Sequence, residues 1–131
     1  MNPQEIIKAA STTHSEFILR NNSIIEIKLK KGIYFTIKES KEINQQIVTI
    51  SNGIPRKILV ESSKLNFCDQ ESRKWTTSKE VSDSIIALAI ITKSLPQKLI
   101  ANFIVNMQKP RVPTKVFTTK KEAETWLLSL N

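Results

Sequence analysis

Ile85-Ile86-Ala87-Leu88-Ala89-Ile90-Ile91 is an unbroken apolar run of seven residues with no polar alternation. A run this short, rich in isoleucine and bounded by Ser84 and Thr92, predicts a central strand of a parallel sheet with both faces dry. Upstream, Ile58-Leu59-Val60 forms a second short apolar run. The mostly polar residues 69–84 lie between the two. Asp69 is the expected N-cap of one helix there, Trp75 its main apolar anchor, and Val81 a lesser one. Residues 57–92 thus read as strand, helix, strand, a crossover unit of the kind that is almost always right-handed.

The same grammar extends in both directions. Residues 1–13 are weakly patterned and read as one helical turn or an arm. Phe17-Ile18-Leu19-Arg20 predicts a strand, and Asn21-Asn22-Ser23 a turn. Ile25, Ile27 and Leu29 then alternate with Glu26, Lys28 and Lys30, which predicts a strand with one wet face, near a sheet edge or on an open side. Lys31-Gly32 reads as a turn, and Ile33-Tyr34-Phe35 leads back in. Thr36-Ile37-Lys38-Glu39 has capping-box spacing, and Ile43, Ile47 and Ile50 continue it as a buried helical stripe. Asn52-Gly53 and Pro55 stop that helix.

Downstream, Ser94 and Gln97 form a second box with Pro96 in the first turn. Leu99, Ile100, Phe103, Ile104 and Met107 make a broad apolar arc opposite Lys98, Asn102 and Asn106. Lys109-Pro110-Arg111-Val112-Pro113 is a stiff basic link, and Lys115-Val116-Phe117-Thr118 a short strand. Thr119-Lys120-Lys121-Glu122 is a third box. Ala123, Trp126, Leu127 and Leu130 complete a stripe behind it. After an N-terminal antiparallel pair the order alternates strictly, which predicts an α/β fold: a mixed, largely parallel sheet of about five strands with four helices.

The chain has 131 residues, 40% hydrophobic and 24% charged, as expected for one globular domain over 1–131. No apolar run approaches the roughly 20 residues of a membrane helix, so no stable membrane insertion is expected. The N-terminus has no signal-peptide pattern, and a single cysteine suits a reducing cytoplasm. The net charge of +8 is spread, with +3 on residues 1–56, +1 on 57–94 and +4 on 95–131. Without a dense basic cluster, and with Trp75 and Trp126 at core spacing, no nucleic-acid partner is expected.

The closing third reads Asn102-Phe103, then Lys109-Pro110-x-x-Pro113-Thr114-x-x-Phe117, then Ala123-x-x-Trp126-Leu127. These residues resemble the end of small uncharacterised bacterial STAS-like proteins. The element order over residues 17–130 is similar to the STAS domain, the fold of the SpoIIAA anti-anti-sigma factors. The resemblance implies a SpoIIAA-like fold. In STAS regulators a serine or threonine at the helix start after the third strand is phosphorylated by a partner kinase. Here the matching run is Phe67-Cys68-Asp69-Gln70-Glu71-Ser72. Asp69 matches, but Gln70 stands where the hydroxyl would be and Glu71 replaces the next serine. Phosphorylation at that position therefore does not carry over. A phosphate on Ser72 would be favoured by the helix dipole and by Arg73 but repelled by Glu71. An ordinary exposed helix serine is the simpler expectation.

Other chemistry is sparse. Gly32 and Gly53 are the only glycines, which excludes a glycine-rich phosphate loop. His14 and Cys68 are too few for a His/Cys metal site, and His14 has no evident triad partner. Neither a cofactor nor a catalytic residue is expected. Cys68, just before a helix start, is either an activated thiol or, more simply, a buried filler. The sequence thus predicts a non-enzymatic regulatory or protein-interaction domain with an unidentified protein partner, and a homodimer is plausible. Its surface would centre on Cys68, Asp69, Gln70, Ser72 and Arg73, joined by Lys109 and Arg111. The alternative is a small-ligand or lipid carrier, with the Leu99–Met107 arc lining the pocket.

Overall fold

The computed structural model describes residues 5–30, 34–62 and 67–130, without the side chains of Phe67, Cys68 and Gln108. The readings of Lys31-Gly32 as a turn and of Cys68 as thiol or filler lie outside the described residues. The described residues form eight strands and five helices: β1 Ile6–Ser11, β2 Ser15–Arg20, β3 Ile24–Leu29, β4 Tyr34–Phe35, α1 Ile37–Ser51, β5 Arg56–Glu61, β6 Phe67–Cys68, α2 Gln70–Thr76, α3 Lys79–Ser82, β7 Ile85–Ile91, α4 Leu95–Gln108, β8 Thr114–Phe117 and α5 Lys120–Ser129. Six strands form the main sheet in the order β1-β2-β3-β5-β7-β8, and β4 and β6 form a small parallel pair of their own. The β1-β2 and β2-β3 pairings are antiparallel. The β3-β5, β5-β7 and β7-β8 pairings are parallel.

The fold class is as the sequence implies, with three differences. The first is β1. The weakly patterned start is an edge strand, joined to β2 by a turn in which Thr12 N–H donates to the Ser15 carbonyl at 2.8 Å. Ile6 and Ile7 lie exposed, so the strand carries almost no hydrophobic pattern to read. His14 sits in that hairpin turn.

The second is β3, which lies inside the sheet between β2 and β5 and not at an edge. Its buried face is the expected one, with Ile25 and Ile27 in the core. On the charged face Lys28 stays exposed, but Glu26 is covered by neighbouring elements. The Glu26 carboxylate accepts from the Arg20 guanidinium on β2 and from Lys120 Nζ at 2.8 Å on α5. Neighbouring strand and helix supply, as charged donors, the hydrogen bonds that water would supply at an edge.

The third is the single helix expected over residues 69–84, which is two. The Thr76 hydroxyl donates to the Arg73 carbonyl at 2.6 Å, and the Thr77 hydroxyl to the Lys74 carbonyl at 2.9 Å. Such back-bonding competes with the helix ladder, and the chain restarts at Ser78, the N-cap of α3.

Two apolar layers flank the sheet. On one side Phe17, Leu19, Ile25, Ile27, Ile58 and Ile85 pack with Ile47 and Ile50 of α1. On the other, Ile24, Leu59, Ala87, Ala89 and Ile91 pack with Phe117 and with Ala123 and Leu127 of α5. Strand β7 changes face where the β5-β7 register slips, since Arg56 pairs with Ile85 and Lys57 with Ala87. Ile86 is squeezed out of the ladder there and stands 41% exposed. Ala87, Ala89 and Ile91 are dry under α5. Leu88 and Ile90, on the α1 side, are only half-buried. The expectation of two dry faces therefore holds for one face alone. The other is left partly open by α4.

Candidate functional site

Where α4 leaves the sheet uncovered, a cavity of about 390 Å³ opens between the β3-β5-β7 surface and helices α1 to α3. Its floor includes Ile58, Val60, Leu88 and Ile90; α1 contributes Ile43, Asn44 and Ile47. Trp75, Val81 and Val112 close the far side, and Ile104 and Val105 of α4 form part of the rim. The volume falls in the lower part of the roughly 300–1,000 Å³ range of small-molecule sites.

Local chemistry fixes each wall. Helix α1 is anchored by its capping box, in which the Glu39 carboxylate accepts from the Thr36 N–H at 3.0 Å and from the Thr36 hydroxyl at 2.8 Å. Those two hydrogen bonds, the backbone one first, hold the Glu39 carboxyl below the usual glutamate range. Helix α2 is capped by Asp69, whose side chain accepts from the Ser72 N–H at 2.8 Å. Trp75 is not a core anchor. It is half-buried at the cavity, with its indole N–H donating to Glu80 at 3.3 Å and Lys41 Nζ 6.0 Å from its ring centroid. The basic link is tied to the turn between α2 and α3, because Arg111 Nε donates to the Thr77 carbonyl at 3.0 Å. Lys109 ends α4 in the left-handed conformation, at φ 47°, ahead of Pro110.

Helix α4 is turned the opposite way from its sequence expectation. Its apolar arc faces outward, with Leu99 and Ile100 both 62%, Phe103 65% and Met107 68% exposed. Gln97, Lys98, Ala101, Asn102 and Val105 are half-buried, and the helix packs against β8. The arc therefore does not line the cavity, apart from Ile104.

The residues expected at a partner surface are distributed as follows. Ser72 is 0% exposed and its hydroxyl is hydrogen-bonded to that of Ser40, so it is not an exposed helix serine and no kinase reaches it in the folded state. Gln70, Lys109 and Arg111 are exposed, while Asp69 and Arg73 are half-buried. Arg73 and Arg111, distant in sequence, both line the cavity. Sequence reasoning missed Asn44, Leu88, Ile90 and Val105 as wall residues. Only Asn44 carried a readable signal, as a polar residue inside the Ile43–Ile47 stripe.

The cavity can exclude water and hold apolar matter. No carboxylate, imidazole or thiol is among its described lining residues. Among the described residues no cluster of His, Cys, Asp or Glu could hold a metal ion, and no helix is long and apolar enough to cross a membrane.

Comparison with known proteins agrees with this architecture. The structure is similar to the crystal structure of an uncharacterised protein of the DUF3478 family with a SpoIIAA-like fold from Shewanella loihica PV-4. The TM-score is 0.58 over 97% of each chain, at 14% sequence identity. That likeness shows a SpoIIAA-like fold. No curated protein matches the sequence. A family model does match, over residues 17–131, and by it the chain belongs to the family described as a domain of unknown function, DUF7793.

Proposed function

We propose that this domain binds a small, largely apolar molecule in the cavity between the sheet and helices α1 to α3. One observation carries the reading: on the α1-side face of β5 and β7, Val60, Leu88 and Ile90 are only half-buried and line an apolar cavity that the helices leave unfilled. An apolar surface left open in this way is stabilised by any ligand that replaces the missing helix side chains. At roughly 30 Å³ per water-sized group, the cavity holds on the order of a dozen non-hydrogen atoms, a medium-length chain or a small ring system.

Binding of naphthalene, a neutral apolar fluorophore small enough for the cavity, tests this. The wild-type protein should bind it, and Val105→Phe, which fills the cavity from its rim, should weaken binding about tenfold. Equal binding by both proteins sinks the proposal.

A second reading, a regulatory or protein-interaction domain, is supported by a different observation. The outward arc of α4 presents Leu99, Ile100, Phe103 and Met107, each more than 60% exposed, as one apolar strip of the kind that marks interaction surfaces. No acidic residue occurs from position 84 to position 121, while Lys93, Lys98, Lys109, Arg111, Lys115, Lys120 and Lys121 do. A protein partner with an apolar strip rimmed by carboxylates would fit that face. Phe103→Ser separates the two readings, since it removes surface from α4 but leaves the cavity wall intact. If this variant, and not Val105→Phe, loses the fluorophore, the apolar site is the α4 face.

A further inference from the structure

Nearly every polar side chain on the cavity wall is engaged within the protein. The Ser40 hydroxyl pairs with that of Ser72. The hydroxyls of Thr76 and Thr77 donate to the Arg73 and Lys74 carbonyls. Those of Ser82 and Thr114 donate to the carbonyls of Lys79 and Val112. Arg111 Nε donates to the Thr77 carbonyl. Asn44 is the exception. Its side-chain oxygen is buried, and no donor among the described residues reaches it. Asn44 also stands in the inward stripe of α1, one turn from Ser40 and flanked by Ile43 and Ile47, where an aliphatic side chain would serve packing better. A buried acceptor without a donor is costly, and the cost is removed by a ligand that brings one.

We infer that the ligand of this cavity is an amphiphile with one neutral hydrogen-bond donor, a hydroxyl or an amide N–H, directed at the Asn44 side-chain oxygen. The inference rests on the proposed apolar site and specifies the head group it takes. The charges on the wall narrow the choice. Arg73 and Arg111 line the same cavity, so an ammonium head would be repelled. A carboxylate has no proton to give, and would set lone pairs against the Asn44 oxygen or leave it unmatched. The rest of the ligand must be apolar, because the floor is Ile58, Val60, Leu88 and Ile90 and offers no second polar partner.

Two isomers separate the head group from the tail. 1-Decanol and methyl nonyl ether have the same atoms, but only the alcohol donates. Isothermal titration calorimetry of the full chain with each should show the alcohol binding about tenfold more tightly. In Asn44→Leu the alcohol should weaken until the two isomers are equal. Asn44→Ala, which removes the amide without adding bulk, should give the same parity. Circular dichroism verifies that both variants remain folded. Equal affinities in the wild-type protein, or a preference for the alcohol that survives in both variants, overturn the head-group assignment and leave the apolar site standing. Failure of either isomer to bind any of the three proteins overturns the apolar site and the head group together.

Discussion

Helices α4 and α5 begin alike. Ser94 and Thr119 each accept the N–H three residues on at 3.3 Å, and an apolar stripe at helical spacing follows each cap. Their stripes then take opposite directions. In α5, Ala123 and Leu127 are fully buried against Ala87, Ala89, Ile91 and Phe117, and Trp126 packs on Phe117 at 5.7 Å between ring centroids. In α4 the stripe faces outward, and no residue from Leu95 to Met107 is fully buried. One helix closes its face of the sheet. The other stands over β8 and leaves β5 and β7 open beneath the cavity. Identical caps and similar periodicity therefore define a helix without defining what it covers. Burial is a property of the pair of surfaces, and a helix contributes stability only where its apolar stripe displaces water.

The largest expected effect tests that contrast directly. Leu127→Ala removes a fully buried side chain from a closed layer and should lower unfolding stability by about 3 kcal/mol. Phe103→Ala deletes a larger side chain yet should move stability by no more than about 0.5 kcal/mol, because the ring already faces water. Urea denaturation of dilute protein measures both. A Phe103→Ala loss as large as that of Leu127→Ala would break the comparison and show that the α4 stripe is buried in solution.

A smaller effect sharpens the account of the closed face. Glu26 is the only charged residue of β3 tied to α5, through Lys120, and it also holds Arg20. Its side chain is 14% exposed, so the carboxylate is screened by little water. Glu26→Gln should cost about 1.5 kcal/mol, the usual contribution of a charge-assisted hydrogen bond. Lys120→Ala, at a lysine whose side chain is 45% exposed, should cost about 0.5 kcal/mol or less. If Glu26→Gln leaves the urea midpoint unchanged, α5 is seated by its apolar stripe alone.

The sequence carried the element order because its signals are local. The Thr36–Glu39 capping box, the side-chain caps at Asp69, Ser94 and Thr119, and the Ile85–Ile91 run each specify backbone conformation within a few residues. The break between α2 and α3 was also written locally, in Thr76-Thr77, whose hydroxyls bond back to the preceding turn, and in Ser78, the N-cap of α3. Three features were not legible. Strand β1 pairs only through its backbone on one side and buries little, so it leaves no pattern. The interior position of β3 depends on Arg20 and Lys120, which reach Glu26 from other elements. The cavity depends on which way α4 faces, and periodicity states which residues share an arc but not what the arc meets. Of the candidate site, Arg73 and Arg111 were named from sequence, but what brings them together is the tertiary seat of the link against the α2–α3 turn.

The smallest expected effect concerns α1, the wall that faces the open side. Thr36 lowers the Glu39 carboxyl first through its backbone N–H and then through its hydroxyl. A folded-state value below the unfolded one means that folding favours the charged form. The contribution is therefore complete above the ordinary glutamate value of about 4.3 and is lost as pH falls through the lowered folded value. Glu39→Gln keeps the shape and an acceptor for the capping box but drops the charge. Its Tm should lie slightly below that of the wild-type protein at neutral pH, and the gap should close in acid as Glu39 itself becomes neutral. Thermal melts across that range measure the gap. If it persists unchanged at a pH where the wild-type carboxyl is protonated, Glu39 acts through helix propensity and packing. The start of α1 would then be held by Thr36 geometry, without help from the charge at the helix N-terminus.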